Sequence, residues 1–472
     1  MSNAPDVSGL TGKPLGERVL GYMKLTGPGY MQSAMTLGGG SIASCAALGS
    51  LFGYKYLWVQ VVAMVFGYFV LANVAKQTTH NGERSYQVFW RELHPVLAII
   101  WGASALIATI LWHIPQYSLT VNGVITLADG ISVSLDNTVG RVCSGLIVLG
   151  LATSVVYLYH SGAKGLRVYE RIVKTLVWGI VVAFGVVVVT GESVEWGRFF
   201  AGVTGVTFLR DFMANGLQQA AVIPVVGALA AAVGINMIFL YPYSLLEKGW
   251  GKEHKELAYF DLLSGMALPF IVGTCLMIVA VAKTIGPDAG LVGEGVRDIR
   301  QILPVVTPAL GDTLGRLIIG GGIIGIGFST IITHMLALGF IGCEMFGFSH
   351  AGRAKWWFSL VPAVGVVGAI IPFPVPLAIT ASTLALPLMP VTVLCFLVLL
   401  NKKSYMGDAM PTGGVRVFWN VILIAAVLFM AGAAKFALEA NWVKLMGLLG
   451  PAEVAVRGEC LDAVLVVLRI MS

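Results

Sequence analysis

The sequence predicts an all-α membrane protein, and three observations carry that expectation. Hydrophobic residues make up 57% of the 472-residue chain and charged residues only 11%, with a mean hydropathy of +0.85. Soluble domains carry about a quarter charged residues, so this much apolar surface has to face lipid or other spanning helices. Apolar runs long enough to cross a bilayer recur along the chain. Two of them, the first and the sixth, are interrupted by glycine and proline.

Taken in order, the runs place about eleven spans at 30–51, 57–74, 96–125, 138–159, 173–189, 220–248, 262–281, 317–340, 357–371, 378–400 and 417–437. The third is long enough to tilt or to project beyond the lipid. Residues 1–25 form a polar N-terminal segment without the apolar core of a signal peptide, so the first span also serves as the targeting element. Residues 26–437 form the transmembrane domain. Within it, 26–190 and 215–400 read as two inverted five-helix repeats, with the eleventh span peripheral. The tail, 438–472, ends in a run at 461–470 that is too short to span, and it reads as surface-lying or disordered.

Charge sets the orientation. Lys13, Arg18, Lys24, Lys76, Arg84, Arg91, Lys164, Arg167 and Arg171 fall on one side if the N-terminus is cytoplasmic, and Lys248, Lys252, Lys255, Arg353, Lys355, Lys402 and Lys403 join them. The expected location is therefore a bacterial cytoplasmic membrane with the N-terminus inside. The net charge of +6 is dispersed between spans and forms no basic face, so no nucleic-acid partner is expected. The expected partners are the lipid bilayer and a transported ion or small solute, and the oligomeric state stays open. The six cysteines form no paired metal spacing and read as small core residues. No cofactor is expected. No nucleophile–base set or carboxylate pair shares a membrane depth, which argues against an enzyme.

The interruptions locate a candidate site. The first span opens with Gly27-Pro28-Gly29 and carries Gly38, Gly39, Gly40 and Ser41 near its middle. Successive glycines weaken a helix and leave backbone groups uncovered. Such backbone is tolerated at membrane depth where it is buried in protein or lines a polar cavity; close helix approach is the simpler alternative. The sixth span sets Gly234, Asn236 and Pro242 within one apolar run, with Met237, Phe239 and Tyr241 between them. Proline removes a donor and disturbs the carbonyl of Ile238, and Asn236 at that depth needs a partner. Two broken segments five spans apart are the signature of an inverted-repeat transporter with a midplane site. His113, His334, Gln116 and Asn122 add polar groups suited to proton transfer or gating. A neutral histidine hydrogen-bonded to a neighbouring helix accounts equally well for His113 and is the simpler reading of His334.

At these stretches the chain resembles the Nramp family of proton-coupled divalent-metal transporters. The resemblance covers roughly 20–435 and rests on Gly27-Pro28-Gly29, Gly53-Tyr54-Lys55-Tyr56-Leu57-Trp58, Tyr169-Glu170, Gly327-Phe328-Ser329-Thr330-Ile331-Ile332-Thr333, Leu386-Pro387-Leu388-Met389-Pro390 and Met406-Gly407. It implies a LeuT-like fold of two inverted five-helix repeats plus an eleventh helix. The family's metal motifs do not carry over. Its first-helix Asp-Pro-Gly-Asn pairs with Gly38-Gly39-Gly40-Ser41, and its sixth-helix Met-Pro-His-Asn pairs with Ile238-Phe239-Leu240-Tyr241. A family histidine pairs with Leu245 and an acidic residue with His113. With no Asp or Glu between Tyr22 and Val74, the expected substrate is a hydrated magnesium ion rather than manganese or iron. A small organic solute, or a membrane scaffold that no longer transports, stand as alternatives, and metal ligands are left unassigned.

Four further residues carry expectations. Asp261 reads as an N-cap of the seventh span, His254 as part of a solvated face, and Glu247 and Glu344 as salt-bridged groups near cytoplasmic helix ends.

Overall fold

The computed structural model describes residues 6–449 apart from 11, 191–192, 217, 287–299, 301–302, 304–310 and 372–385. The described residues are helical and contain no strand. Residues 378–385 of the tenth expected span, and the tail from 450 with Cys460, lie outside them.

An amphipathic helix, α1 (Leu15–Leu25), precedes the first span, which is split into α2 (Pro28–Thr36) and α3 (Gly39–Phe52). Proline opens α2, where its missing N–H costs nothing and its fixed φ suits a first helical position. The chain continues through α4 (Leu57–Asn81), a short α5 (Ser85–Val88) and the long α6 (Pro95–Asp129). Gly82 and Gly347 end their helices in the left-handed conformation that glycine adopts freely. Asn137 caps α7 (Thr138–His160) by accepting from Gly140 N at 2.9 Å. α8 (Ala163–Thr190) is followed by two short helices, α9 (Trp196–Val203) and α10 (Val206–Asn215), and by a second split span, α11 (Gln219–Ala232) and α12 (Ile235–Glu247).

The second half holds α13 (Lys255–Leu262), a π-helical turn at Leu263–Ala267, and α14 (Leu268–Ile285), which run on as one span. Next come α15 (Asp312–Phe346), α16 (Arg353–Leu360), α17 (Met389–Leu400), α18 (Lys403–Met406) and α19 (Gly413–Leu449). Among the described residues, eight helices are long and apolar enough to cross a membrane, or up to ten if each of two bent pairs counts as one span.

Four expectations change here. The ninth span is helical over Arg353–Ile370 but tightens to a 3-10 helix from Val361. Gly365 and Gly368 press it onto α6, where a Cβ would meet His113 Cδ2 at 2.8 Å and Ile114 O at 2.0 Å. The last helix continues to Leu449 rather than ending at 437. His254 is buried, stacked on Trp250 with its Nδ1 accepting from Gly251 N at 3.1 Å, while its four charged neighbours stay exposed. Asp261 does not cap its own helix: it is fully buried near the end of α13, and its carboxyl accepts the Gly27 and Gly29 amides of the first span.

One apolar core runs through the bundle. α15 lies along α6, α3 packs on α14 and α11, and α2 is enclosed by α8, α12, α13, α15 and the π-helical turn. Polar ties fix the helix ends: Lys355 to Glu247 at 2.6 Å, and Arg84 and His350 to the buried Glu344, each at 3.0 Å. Cys45, Cys275, Cys343 and Cys395 are buried, whereas Cys143 is exposed.

Candidate functional site

Both split spans break over two residues. In the first, the chain leaves α2 at Leu37 and re-enters a helix at Gly39, and the axis bends by 48°. In the sixth, Val233 and Gly234 are extended between α11 and α12. The second break therefore precedes Asn236, and Pro242 sits inside α12 rather than at the interruption. Pro242 follows seven helical residues, so its disturbed carbonyl is Ile238 within the helix and not the break itself.

Backbone groups freed at the first break find side-chain partners. Ser41 Oγ donates back to Thr36 O across the bend. Gly39 N, the first amide of α3, donates to Gln116 Oε1 at 2.9 Å. Thr330 Oγ1 lies 2.8 Å from Ala34 O and 2.9 Å from Ile326 O, so its single proton bonds either α2 or its own helix. Glycine is required by closeness: a Cβ on Gly38 would be 2.8 Å from Thr330 Oγ1, and one on Gly39 3.1 Å from the Gln116 amide.

The two breaks meet at a small cavity of about 30 Å³. Of the residues named from the sequence, Gly38, Gly40, Ser41, Gln116, Asn236, Met237 and His334 line it. Gly39 touches it through Gln116. Its polar lining is neutral: two hydroxyls, two amides, two thioethers, an imidazole and an indole. His334 Nδ1 and Asn236 Nδ2 are buried without a hydrogen-bond partner, and Met237 Sδ accepts from Gly234 N at 3.2 Å. An unprotonated His334 Nδ1, the Met237 thioether and the carbonyl oxygen of the Asn236 amide could ligate a small ion, with little room beyond one or two waters. Among the described residues, no group of three or more His, Cys, Asp or Glu could hold a metal ion.

The remaining sequence candidates lie outside the lining. Phe239 stacks on Tyr243 at 5.2 Å and packs on Trp101 at 4.7 Å. Tyr241 directs its hydroxyl to Ala258 O. His113 sits one layer behind His334, with ring centres 5.7 Å apart and both ring nitrogens unpartnered. Asn122 accepts from Arg141 Nη2 at 3.2 Å near the far end of α6, so it and Gln116 serve different places. Met35, Trp112, Ala230, Ala231, Gly234 and Thr330 complete the lining. Thr330 was legible as the residue one turn before His334 on the same helix face, whereas nothing in the local sequence marks Met35.

The chain is similar to known proteins in sequence and in fold. The chain is 24% identical over 359 residues to the divalent metal cation transporter MntH of Agrobacterium fabrum, covering 73% of this chain and 72% of that protein. It is 23% identical over 443 residues to the divalent metal cation transporter MntH of Mycobacterium leprae, covering 89% and 95%. The manganese transporter of Eremococcus coleocola, solved with an aromatic bis-isothiourea substituted compound, superposes with a TM-score of 0.69 at 13% identity, covering 98% of this chain and 93% of that one.

These relatives overturn the expected preference for magnesium over manganese or iron: they are named for divalent metal cations and manganese, and they give the organic-solute and scaffold alternatives no support. The lining supplies a physical reason, since an imidazole and a thioether are poor partners for magnesium. The fold is an all-α, multi-spanning membrane fold of the LeuT and Nramp structural class. The model of the natural resistance-associated macrophage protein-like family, Nramp, matches residues 29–436, from the start of α2 into α19, and the chain belongs to that family of membrane transport proteins.

Proposed function

We propose that this protein is a secondary transporter of a divalent metal cation, with manganese as its ion, and that the ion is held at the cavity where the two broken spans meet. The observation that carries this reading is the lining itself: Gln116, Asn236, Met237 and His334 converge on a small cavity between the two broken spans. An imidazole and a thioether favour a transition-metal ion over magnesium. With no carboxylate in the lining, the site belongs to a divergent member of the family that binds its ion through neutral donors. Such donors leave the ion's charge to be balanced from further away, so binding is weaker and release easier than from a carboxylate cage.

The helix breaks also support the division into inverted repeats over 26–190 and 215–400, because each begins with a span interrupted over two residues. The dispersed basic residues support a cytoplasmic N-terminus, and the bacterial relatives support a cytoplasmic membrane. Uptake by the purified protein in liposomes tests the function. Saturable manganese uptake, competed by cadmium more strongly than by magnesium, is the expected result. Active, correctly folded protein that takes up no manganese would overturn it.

A further inference from the structure

The cavity is closed towards the N-terminal segment by α2. All nine residues of α2 are buried, and Met35 near its end belongs to the cavity lining. An ion leaving on that side has to displace α2, which joins α3 only through the bend at Leu37–Gly38.

The other end of α2 is tied down by side chains from several elements. The first amides of a helix have no partner within it. Here Gly27 N donates to Asp261 Oδ1 at 2.8 Å and Gly29 N to Asp261 Oδ2 at 2.6 Å. Lys174 of α8 donates to Thr26 O at 2.5 Å and Thr26 Oγ1 at 2.8 Å. Lys248, just past α12, donates to Leu25 O at 3.1 Å and pairs with Glu170 at 2.9 Å. Glycines make the approach close enough. A Cβ on Gly29 would fall 2.2 Å from Asp261 O, one on Gly27 2.1 Å from Glu170 Oε1, and one on Gly265, in the π-helical turn, 3.0 Å from Tyr30 N. The one turn of irregular helix in this span therefore lies directly against the tied end of α2.

We propose that Asp261 is a positioning residue that holds α2 across the exit of the cavity. Its carboxyl takes both glycine amides, Lys174 and Lys248 are the outer ties, and their release frees α2 to turn at Leu37–Gly38. This rests on the transport reading above, but the attachment of α2 is measurable without any transport.

The test is hydrogen exchange of the full chain in lipid nanodiscs, following residues 27–36 against α6 and α15. Asp261→Asn keeps the side-chain volume and one acceptor but sets an amide donor against the second glycine N–H. Exchange over 27–36 should become about tenfold faster, the factor expected for one buried hydrogen bond lost locally, with α6 and α15 unchanged. Unchanged exchange over 27–36, or an equal rise in all three regions, overturns the proposal, the second because it marks general destabilisation. If Asp261→Asn is not recovered folded, Lys174→Met carries the same test: faster exchange confined to 27–36 supports the tie, and no change overturns it. A local exchange change in a protein that moves no manganese sinks the transport reading and leaves the role of Asp261 intact.

Discussion

Replacing His334 by Ala separates a metal-binding cavity from a polar gap in the core. Its Nδ1 is buried, has no hydrogen-bond partner, and belongs to a side chain that lines the cavity. An unsatisfied buried group of this kind costs about 1–3 kcal/mol, and a coordinated ion recovers that cost on binding. Removing the imidazole forfeits the recovery, so manganese should bind roughly 10- to 100-fold more weakly. Magnesium, which prefers oxygen ligands and keeps its water, should lose less than about threefold. The assay is concentration-dependent uptake in liposomes for both ions, with Tm recorded to show that the variant is folded. A manganese KM within about twofold of the wild type, or the same loss for both ions, refutes the reasoning.

Gly38→Ala sets a Cβ 2.8 Å from Thr330 Oγ1 and 3.1 Å from Met35 O, so the hydroxyl has to leave Ala34 O and the bend has to open. Manganese uptake should fall about tenfold with Tm little changed, and wild-type uptake would contradict the close packing of the break. Gly202→Val presses a side chain onto Tyr54 O, 2.1 Å from its Cβ, in the contact between α9 and the start of α4. It should lose about 1–3 kcal/mol of stability through overpacking, read as a lower Tm with an unchanged manganese KM. Asp136, in the loop between α6 and α7, is opposed by burial, but its bonds to Arg300 and Arg141 prevail and hold its carboxyl below the ordinary value of 3.8. A folded-state value below the unfolded one contributes stability that is full above pH 3.8 and is lost as pH falls through the folded value. Tm of the wild type should therefore drop more steeply than that of Asp136→Asn below that pH, and parallel curves would remove the ion pairs from the acid response.

Much of this architecture can be read from hydropathy, because a bilayer forces nearly every spanning segment to be a long apolar helix. The runs at 57–74, 96–125 and 138–159 fall inside α4, α6 and α7 for that reason. Glycine clusters point to the first break because Gly38 has no side chain to hold it from Thr330. The second break is less visible: Pro242 is the louder local signal, yet the helix absorbs it, and the chain opens at Val233–Gly234, where Trp112 packs closely. Cavity membership of Met35 and the roles of Asp261 and His254 depend on partners far away in sequence. Asp261 bonds to Gly27 and Gly29 across about half of the chain, which no local pattern announces. Phe239 and Tyr241 are one turn too far along α12 to reach the lining, because the helix restarts at Ile235 and turns them to the core. The magnesium expectation failed for a related reason. It weighed the absent carboxylate in the first span and gave no weight to Met237 and His334 meeting in one cavity.

A divalent transition-metal ion is expected where the two broken spans meet. Anomalous diffraction from crystals grown with manganese, recorded on either side of its absorption edge, tests that most directly. A single strong peak among Gln116, Asn236, Met237 and His334 is the expected result. A peak elsewhere in the bundle, or none in crystals of protein that takes up manganese, would contradict it.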